Sequence, residues 1–326
     1  MKINKCLAGI IGVVLLLVPS LLLAQAKTGT TGIQSLELGV SARAMGMAEA
    51  FTANVMDASA VYYNPAGLTY VYGRQVMFTH IDKQAGINYD FIGLAYPVDA
   101  LSGVLGVGIY SLNTGDILWT DYDHPFGNNG QVKRYFSAGD LVVGLSYARF
   151  LTDKFSIGFT FKYIHEGLFK DYMASSWAAD VGTCYNSGFR NFKIAMVITN
   201  FGPDMKMTSS SRNFDGTEFP LPINFKFGAS IDVLDTDNHM MTFSMEGSHP
   251  SDNLEKYNMG MEYIFLNKFS LRVGERLNYD SDGLTAGGGI LLPLSDNVEI
   301  SVDYAYQEQD FGFSTDVHRF SIGLIF

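Results

Sequence analysis

Cysteine, proline and tryptophan are scarce in this chain of 326 residues, which contains 2 cysteines, 9 prolines and 2 tryptophans. Cys6 lies before an apolar N-terminal run, so only Cys184 remains beyond it and no disulfide can staple the fold. After Leu23 no apolar run reaches the ~20 residues that a membrane-spanning helix needs. These shortages exclude a disulfide scaffold and a helical membrane protein.

Glycine and aromatic residues are abundant instead, with 34 glycines, 24 phenylalanines and 18 tyrosines. Because 47% of the residues are hydrophobic, the chain is not expected to be disordered. Many aromatic residues and glycines with few prolines favour β-structure that is interrupted by frequent turns.

The N-terminus has the pattern of a cleavable export signal. Lys2 and Lys5 precede the apolar run 7–23, and the motif AQA at 24–26 offers the small residues at which signal peptidase cuts. We predict a signal peptide over residues 1–26 and a mature start at Lys27; an N-terminal membrane anchor is the alternative.

The mature chain is strongly acidic. Loss of two lysines leaves 20 of the 22 basic residues against 33 acidic ones, so the net charge falls from −11 to −13. This charge does not favour nucleic acid as a partner.

Apolar residues alternate with small or polar residues along most of the chain. In 155–163 the odd positions are Phe, Ile, Phe, Phe and Tyr, whereas the even positions are Ser, Gly, Thr and Lys; 223–232 and 298–307 behave alike. Such faces suit a barrel that is apolar towards lipid and has a crowded interior, whereas a soluble sandwich would turn its apolar face inward. The predicted strands are 74–81, 86–97, 103–113, 139–150, 154–167, 176–186, 190–200, 221–232, 239–248, 256–265, 268–278, 284–294, 297–307 and 317–326.

The strand count and the connections also indicate a membrane barrel. Fourteen is an even number, most strands have the ~9–11 residues that cross a bilayer, and short turns alternate with longer loops such as 114–138 and 201–220. The chain ends on VHRFSIGLIF. An alternating last strand that finishes on Phe326 resembles the C-terminal signal that barrel-assembly machinery reads.

Residues 27–73 have a different pattern, typical of short helices and turns. Ser41 is a predicted N-cap, and Pro65 is predicted to begin a short helical turn that Asn64 caps, with Gly67 at a tight exit. A helical stripe around Ser41 has spacings of three and four residues and is formed by Val40, Ala44, Met47, Phe51 and Val55.

This segment carries a resemblance to a known family. The run LELGVSARAMGMAEAFTANVMDASAVYYNPAGLTYV resembles the N-terminal segment of the PorV/PorQ family, within the superfamily of FadL-like outer-membrane transporters. The resemblance covers 36–71; the rest of the chain is similar only in architecture. It implies an all-β fold, a 14-stranded antiparallel transmembrane β-barrel over 74–326, with a short helical hatch over 27–73 that enters the barrel from the periplasmic side.

We expect the hatch to be fixed by its polar residues. Arg43, Asp57 and Asn64, the last within the turn Asn64-Pro65-Ala66-Gly67, are expected to pair with charged lumen positions, because unpaired charges are costly there. The predicted lumen charges are Lys162, Lys226, Glu262, Arg272, Glu275 and Asp303. The alternative is a plain cap under the barrel.

The residues do not indicate an enzyme. The six histidines lack metal-ligand spacing, and the chain contains no nucleophile-elbow, dinucleotide or P-loop motif. We therefore predict no catalytic residues, no metal and no cofactor.

Two functions remain open for a protein of the outer membrane of a Gram-negative-type bacterium. The resemblance implies a non-enzymatic component of type IX protein secretion, with the translocon or its cargo as partners. The 114–138 loop would then bind the partner through Trp119, Tyr122 and Phe126. The alternative is a FadL-like channel for hydrophobic small molecules such as fatty acids. Its apolar pocket would be lined by Met45, Met47, Phe51 and Met56.

Overall fold

The structure is a computed structural model that describes residues 29–83, 86–120, 122–125, 127, 134–169, 172–209, 214–309 and 316–326. Within these residues the chain forms eighteen strands. In chain order they are β1 (Gln75–Asp82), β2 (Asn88–Val98), β3 (Gly103–Asn113), β4 (Ile117–Leu118), β5 (Tyr135–Phe136), β6 (Gly139–Thr152), β7 (Phe155–Gly167), β8 (Tyr172–Asn186), β9 (Lys193–Phe201), β10 (Met205–Ser209), β11 (Asp215–Phe219), β12 (Asn224–Asp235), β13 (His239–Pro250), β14 (Lys256–Phe265), β15 (Phe269–Leu277), β16 (Asp282–Ser295), β17 (Val298–Gln309) and β18 (Val317–Ile325).

Fourteen of these strands close into one antiparallel barrel. β1 pairs with β18, from Gln75↔Ile325 to Asp82↔His318, and β8 pairs with β9, so every barrel strand has two neighbours. Of the other four, β4 and β5 form a separate hairpin, and β10 joins β11 to the end of β8. Closure pairs the backbone of first and last strands, as a structure in lipid requires. The predicted fourteen-strand barrel is confirmed.

All fourteen predicted strands are present. Their ends differ from the prediction by up to four residues, with the largest difference at β8, which begins at Tyr172 and not at 176. The prediction has no counterpart for β4, β5, β10 and β11, which are two to five residues long and lie within the segments expected to be loops.

The two faces of the wall alternate as predicted. In β7, Phe159 and Phe161 are exposed on the outside of the barrel, whereas Thr160 and Lys162 are buried inside it. One predicted lumen residue is wrong: Glu275 is exposed on the outer face of β15, because the even-numbered residues of that strand point inward.

The two ends of the barrel differ in the length of their connections. We call the end with connections such as 153–154, 266–268 and 296–297 the turn end, and the end that carries 114–138 and 202–223 the loop end. Outer-membrane barrels have short turns on the periplasmic side and longer loops outside. By this rule, the turn end is expected to face the periplasm.

Short helical segments precede the barrel. They are the 3₁₀-helix Gln34–Glu37, the α-helices Ala42–Gly46 and Ala60–Tyr63, and the 3₁₀-helix Pro65–Tyr70. A further 3₁₀-helix, Asp99–Leu101, joins β2 to β3.

The helical stripe predicted around Ser41 is wrong as a continuous helix. Ser41 does cap a helix, since its hydroxyl accepts from Ala44 N at 3.4 Å. That helix ends at Gly46, however, because Ala48 and Glu49 have left-handed φ values of 54° and 63°. All five residues of the stripe are nevertheless buried. They are buried because the chain folds back after Gly46, not because they share one face of a helix.

The hatch runs through the barrel from the loop end to the turn end. Gly32 N donates to Pro220 O at 3.1 Å, in the connection between β9 and β12, and Thr31 bonds to Asp252 after β13. At the other end Arg74 exchanges two backbone hydrogen bonds of 2.9 Å with Phe326. The first described residues thus lie at the loop end, and the entry of the segment from the periplasmic side stays a prediction.

Candidate functional site: two cavities and the helix between them

The turn Asn64-Pro65-Ala66-Gly67 holds the hatch against β7 and β8. The side chain of Asn64 caps the following 3₁₀-helix, where its Oδ1 accepts from Ala66 N at 3.1 Å. Its Nδ2 donates to the carbonyls of Thr52 at 3.0 Å and Thr183 at 3.3 Å. One buried amide therefore joins two parts of the hatch to the wall.

Glycines in the wall allow this close approach. A Cβ at Gly158 would collide with the backbone of Pro65 and Ala66, and a Cβ at Gly182 would collide with Oδ1 of Asn64. Ser156 also donates to Ala66 O at 3.2 Å. Gly67 packs on Val55 inside the 3₁₀-helix; it does not form the expected exit. We call these contacts of 60–68 with β3, β6, β7 and β8 the turn interface.

The helix Ala42–Gly46 meets β14 to β18 through ion pairs. Arg43 donates to Glu262 through Nε at 2.9 Å and Nη2 at 2.7 Å. Glu262 also accepts from Arg272 Nε at 2.7 Å, and Arg272 Nη1 reaches Asp303 at 2.6 Å. Asp57 lies 3.7 Å from Arg43 within the hatch. Burial alone would lower the pKa of Arg43, but the carboxylate of Glu262 outweighs burial and raises it.

A second ionic cluster lies nearer the loop end. Glu49 is 3.0 Å from Arg319 and 3.5 Å from Arg276, which also contacts Asp282 at 2.7 Å. Arg319 donates to Gly39 O at 2.6 Å. Burial would raise the pKa of Glu49, but the two guanidinium groups outweigh it and lower the pKa. We call the contacts of 42–49 with β14 to β18 the helix interface.

Sequence reasoning expected only part of these pairings. Arg43 and Arg272 do enter one cluster, but through Glu262, whereas Asn64 bonds to backbone groups. Lys162 lies elsewhere, 2.7 Å from Asp180. Lys226 is 3.6 Å from Glu246, whose other oxygen accepts from the backbone of the hatch.

Glu49, Arg276 and Arg319 were not predicted as site residues. The inward positions of β15 and β18 could have indicated the two arginines, because alternation in a strand assigns each residue to a face. No sequence pattern indicates that Glu49 is a site residue, because its position depends on the left-handed turn after the helix.

An inner cavity of about 300 Å³ lies between the hatch and the wall at the turn end. The cluster of Arg43, Glu262 and Arg272 borders it on the loop side. Its apolar lining includes Met56, Met77, Met240, Ile264, Leu291 and Ile325.

An outer cavity of about 210 Å³ lies at the loop end, against the same sector of the wall. Its lining is largely charged or amide-bearing and includes Lys83, Lys256, Arg276 and Arg319. The two cavities thus differ in chemistry although both contact β14 to β18.

The helix Ala42–Gly46 lies between the two cavities. Met45 and Ala42 form one buried cluster with Ala305 of β17, and Ala42 N donates to Ser321 of β18 at 3.0 Å. Gly46 packs on Gly287, where an added Cβ would lie 3.2 Å from the Gly287 Cα. In this position the helix blocks a direct path between the two cavities along the inner face of β14 to β18.

The four residues of the predicted apolar pocket do not line one pocket. Met56 lines the inner cavity. Met45 belongs to the cluster with Ala305, whereas Met47 and Phe51 lie in the large buried core, and all three are fully buried. Phe51 stacks edge-on against Tyr63 at 5.3 Å between ring centroids.

The predicted partner-binding loop is only partly described. Trp119 packs edge-on against Phe169, in the connection between β7 and β8, at 5.3 Å, and the Arg134 guanidinium lies 5.2 Å from its ring, so it contacts loops of its own chain. Tyr122 is 99% exposed. Phe126 lies outside the described residues, as does the predicted signal peptide.

Metal-binding clusters and membrane-crossing helices are both absent from the described part of the chain. No group of three or more His, Cys, Asp or Glu side chains there is arranged to hold a metal ion. No helix among the described residues is both long and apolar enough to cross a membrane.

Comparison with known proteins shows the fold. No protein-family profile and no curated sequence matches the chain. Among solved structures, the monoaromatic hydrocarbon channel CymD is 15% identical, with a TM-score of 0.59 over 88% of this chain and 97% of that chain. The toluene transporter TbuX of Ralstonia pickettii is 14% identical, with a TM-score of 0.57 over 88% and 97%. A Pseudomonas aeruginosa FadL homologue is 10% identical, with a TM-score of 0.51 over 87% and 97%. The chain therefore has the barrel fold of FadL-like outer-membrane channels.

Proposed function

We propose that the protein is an outer-membrane channel for hydrophobic small molecules and that the inner cavity is a binding site on their route. The single observation that carries this proposal is an apolar-lined cavity inside a barrel whose outer face is also apolar. A volume of about 300 Å³ is at the lower end of the range for ligand pockets, ~300–1,000 Å³. The structural neighbours include a monoaromatic hydrocarbon channel and a toluene transporter, which agrees with this proposal.

The helix Ala42–Gly46 has to move for a ligand to pass between the loop half of the barrel and the inner cavity. Its ion pairs are arranged so that Glu262 and Arg43 each keep an oppositely charged neighbour when the helix moves. Glu262 retains Arg272, at 2.7 Å, and Arg43 retains Asp57, at 3.7 Å within the hatch. Because an abandoned buried charge is the main cost of breaking an ion pair, this arrangement lowers the cost of displacement. We propose that the helix interface opens while the turn interface stays in place.

Filling the inner cavity tests the proposed site. Met240→Trp adds bulk at a cavity-lining position of β13, whereas Met245→Trp adds the same bulk on the exposed outer face of that strand. We expect Met240→Trp to reduce binding of toluene to purified protein at least ~10-fold, which corresponds to about 1.4 kcal/mol. Met245→Trp should bind as the wild type does. Equal binding by both variants would overturn the assignment of the cavity.

This function is non-enzymatic and needs no cofactor. The type IX secretion role that the PorV/PorQ resemblance implies stays a second prediction, for which the exposed Tyr122 offers a contact point. Crosslinking and pull-down from native membranes separate the two functions. Recovery of large secretion proteins without any bound apolar ligand would favour secretion and contradict the channel.

A further inference from the structure

The outer cavity has an excess of positive charge, although the whole chain carries −11. Its two arginines are matched by carboxylates, since Arg276 contacts Asp282 at 2.7 Å and Arg319 contacts Glu49 at 3.0 Å. Among the described residues, neither Lys83 nor Lys256 forms an ion pair. The Lys256 ammonium lies 5.0 Å from the Tyr279 ring centroid, which offers a cation–π contact. Within the described residues, these two ammonium groups thus face one polar cavity without a carboxylate in ion-pair contact, although the carboxyl group of Glu37 belongs to the same lining.

Orphaned hydrogen-bonding groups border the same cavity. Within the described residues, Arg276 Nε and Arg319 Nε are buried N–H groups with no acceptor. The side chain of Arg319 is 5% exposed and that of Arg276 9% exposed, so water reaches these donors poorly. A buried donor without an acceptor is unfavourable, and a ligand oxygen would remove that penalty.

The electrostatics of the lining favour a negative guest. Burial, and then the charge of Arg319, lower the pKa of Lys83, which indicates that its positive charge lies in an unfavourable field. Burial raises the pKa of Glu37, and the charge of Lys256 opposes that shift. An anion in the cavity would improve the electrostatic field at Lys83.

We infer that the outer cavity binds a small hydrophilic anion whose charged group is a carboxylate or a phosphate. Lys83 and Lys256 would supply charge, and the Nε–H groups of Arg276 and Arg319 would supply directed donors. Gln34, Gln307 and Tyr279 in the lining suit hydroxyl or amide groups on the rest of the ligand. An apolar guest would leave the two lysines desolvated and unpaired, so this site is distinct from the inner cavity.

The test uses the full purified protein in a non-ionic detergent, with succinate and glycerol 3-phosphate as probes and uncharged succinamide as the control ligand. Isothermal titration should show saturable binding of at least one anion with a Kd of about 1 mM or tighter, and none of succinamide. Lys256→Gln should weaken that binding at least ~10-fold. The matched control is Lys154→Gln, which removes an exposed lysine in a connection at the turn end and should leave the Kd within about twofold.

Two outcomes would overturn the inference. One is the absence of saturable binding to wild-type protein, and the other is equal weakening by Lys256→Gln and Lys154→Gln, which would indicate a general effect of net charge. Heat-modifiable mobility in SDS gels shows whether each variant is folded, and Lys83→Gln provides a second variant at the site. Met240→Trp should leave anion binding unchanged, so failure of this inference is separable from failure of the proposed channel.

Discussion

The hatch contacts the barrel through two interfaces of different chemistry. At the turn interface, neutral groups meet at close range: Asn64 bonds to backbone carbonyls, and Gly158 and Gly182 leave no room for a side chain. At the helix interface, Arg43 and Glu49 meet wall residues through ion pairs, and a cavity lies on either side.

This difference separates an anchor from a movable element. Backbone-to-backbone packing cannot exchange partners, because a displaced carbonyl or glycine contact has no alternative nearby. Ion pairs in a network can exchange partners, and Glu262 has two, since it accepts from both Arg43 and Arg272. The cavities give the helix Ala42–Gly46 a space into which it can move, whereas the turn has wall residues packed against it.

The largest effect is expected at the turn interface. Gly158→Val places a side chain into the backbone of Pro65 and Ala66, which cannot shift without displacing the whole turn. We expect loss of the folded, heat-modifiable species in SDS gels. Gly247→Ala is the control, because an added Cβ there lies 3.8 Å from its nearest neighbour, Tyr257. A normally folded Gly158→Val protein would show that the turn is not seated on β7.

The next largest effect is expected at the helix interface. Glu262→Gln removes a buried carboxylate that neutralises two arginines, so we expect a loss of about 3 kcal/mol in the free energy of unfolding. Urea denaturation in lipid vesicles, followed by tryptophan fluorescence, measures it. The matched variant Glu275→Gln changes a carboxylate on the outer face, two residues from the end of β15, and should cost less than about 0.5 kcal/mol. Equal losses of unfolding free energy in the two variants would show that the ionic network does not stabilise the helix interface.

A smaller effect is expected for Asn64→Ala. The substitution removes the cap of the 3₁₀-helix and two bonds to carbonyls but leaves the packing of Pro65 in place. We expect a loss of about 1–2 kcal/mol in the same urea assay. Asn64→Asp keeps the acceptor and should recover the capping part of the loss.

The smallest effect is expected for Tyr122→Ala, because its side chain is 99% exposed. Stability and toluene binding should stay within about 0.5 kcal/mol of the wild type. If this variant instead lost a protein recovered by pull-down, the loop would be a partner site and the secretion role would gain support.

The wall was predictable from sequence because period-2 alternation is a local property. Phe159 and Thr160 are assigned to opposite faces without knowledge of any distant residue, and the pairing Glu262↔Arg272 follows from the short turn between β14 and β15. The hatch was less predictable. Its helix ends where Ala48 and Glu49 adopt positive φ, which no residue type there demands.

The contacts between hatch and wall could be predicted only in part, because they join residues far apart in the sequence, 90 positions for Ala66 and Ser156 and 280 positions for Gly39 and Arg319. Arg43 meets Glu262, and Glu49 meets Arg319, only once the stagger of the closed barrel is set. The two cavities could not be predicted either, because they are the parts of the lumen that the folded hatch leaves unfilled.

The most direct test compares two disulfide staples in a Cys184→Ala background. One pair, Ala42→Cys with Ser321→Cys, would fix the helix to β18, and the other, Ala66→Cys with Ser156→Cys, would fix the turn to β7. Uptake of radiolabelled toluene by cells is measured before and after reduction. Uptake lost under the first staple and restored by reductant, but unchanged under the second, is the predicted result. Unimpaired uptake with the helix stapled would contradict the proposal that the helix interface opens.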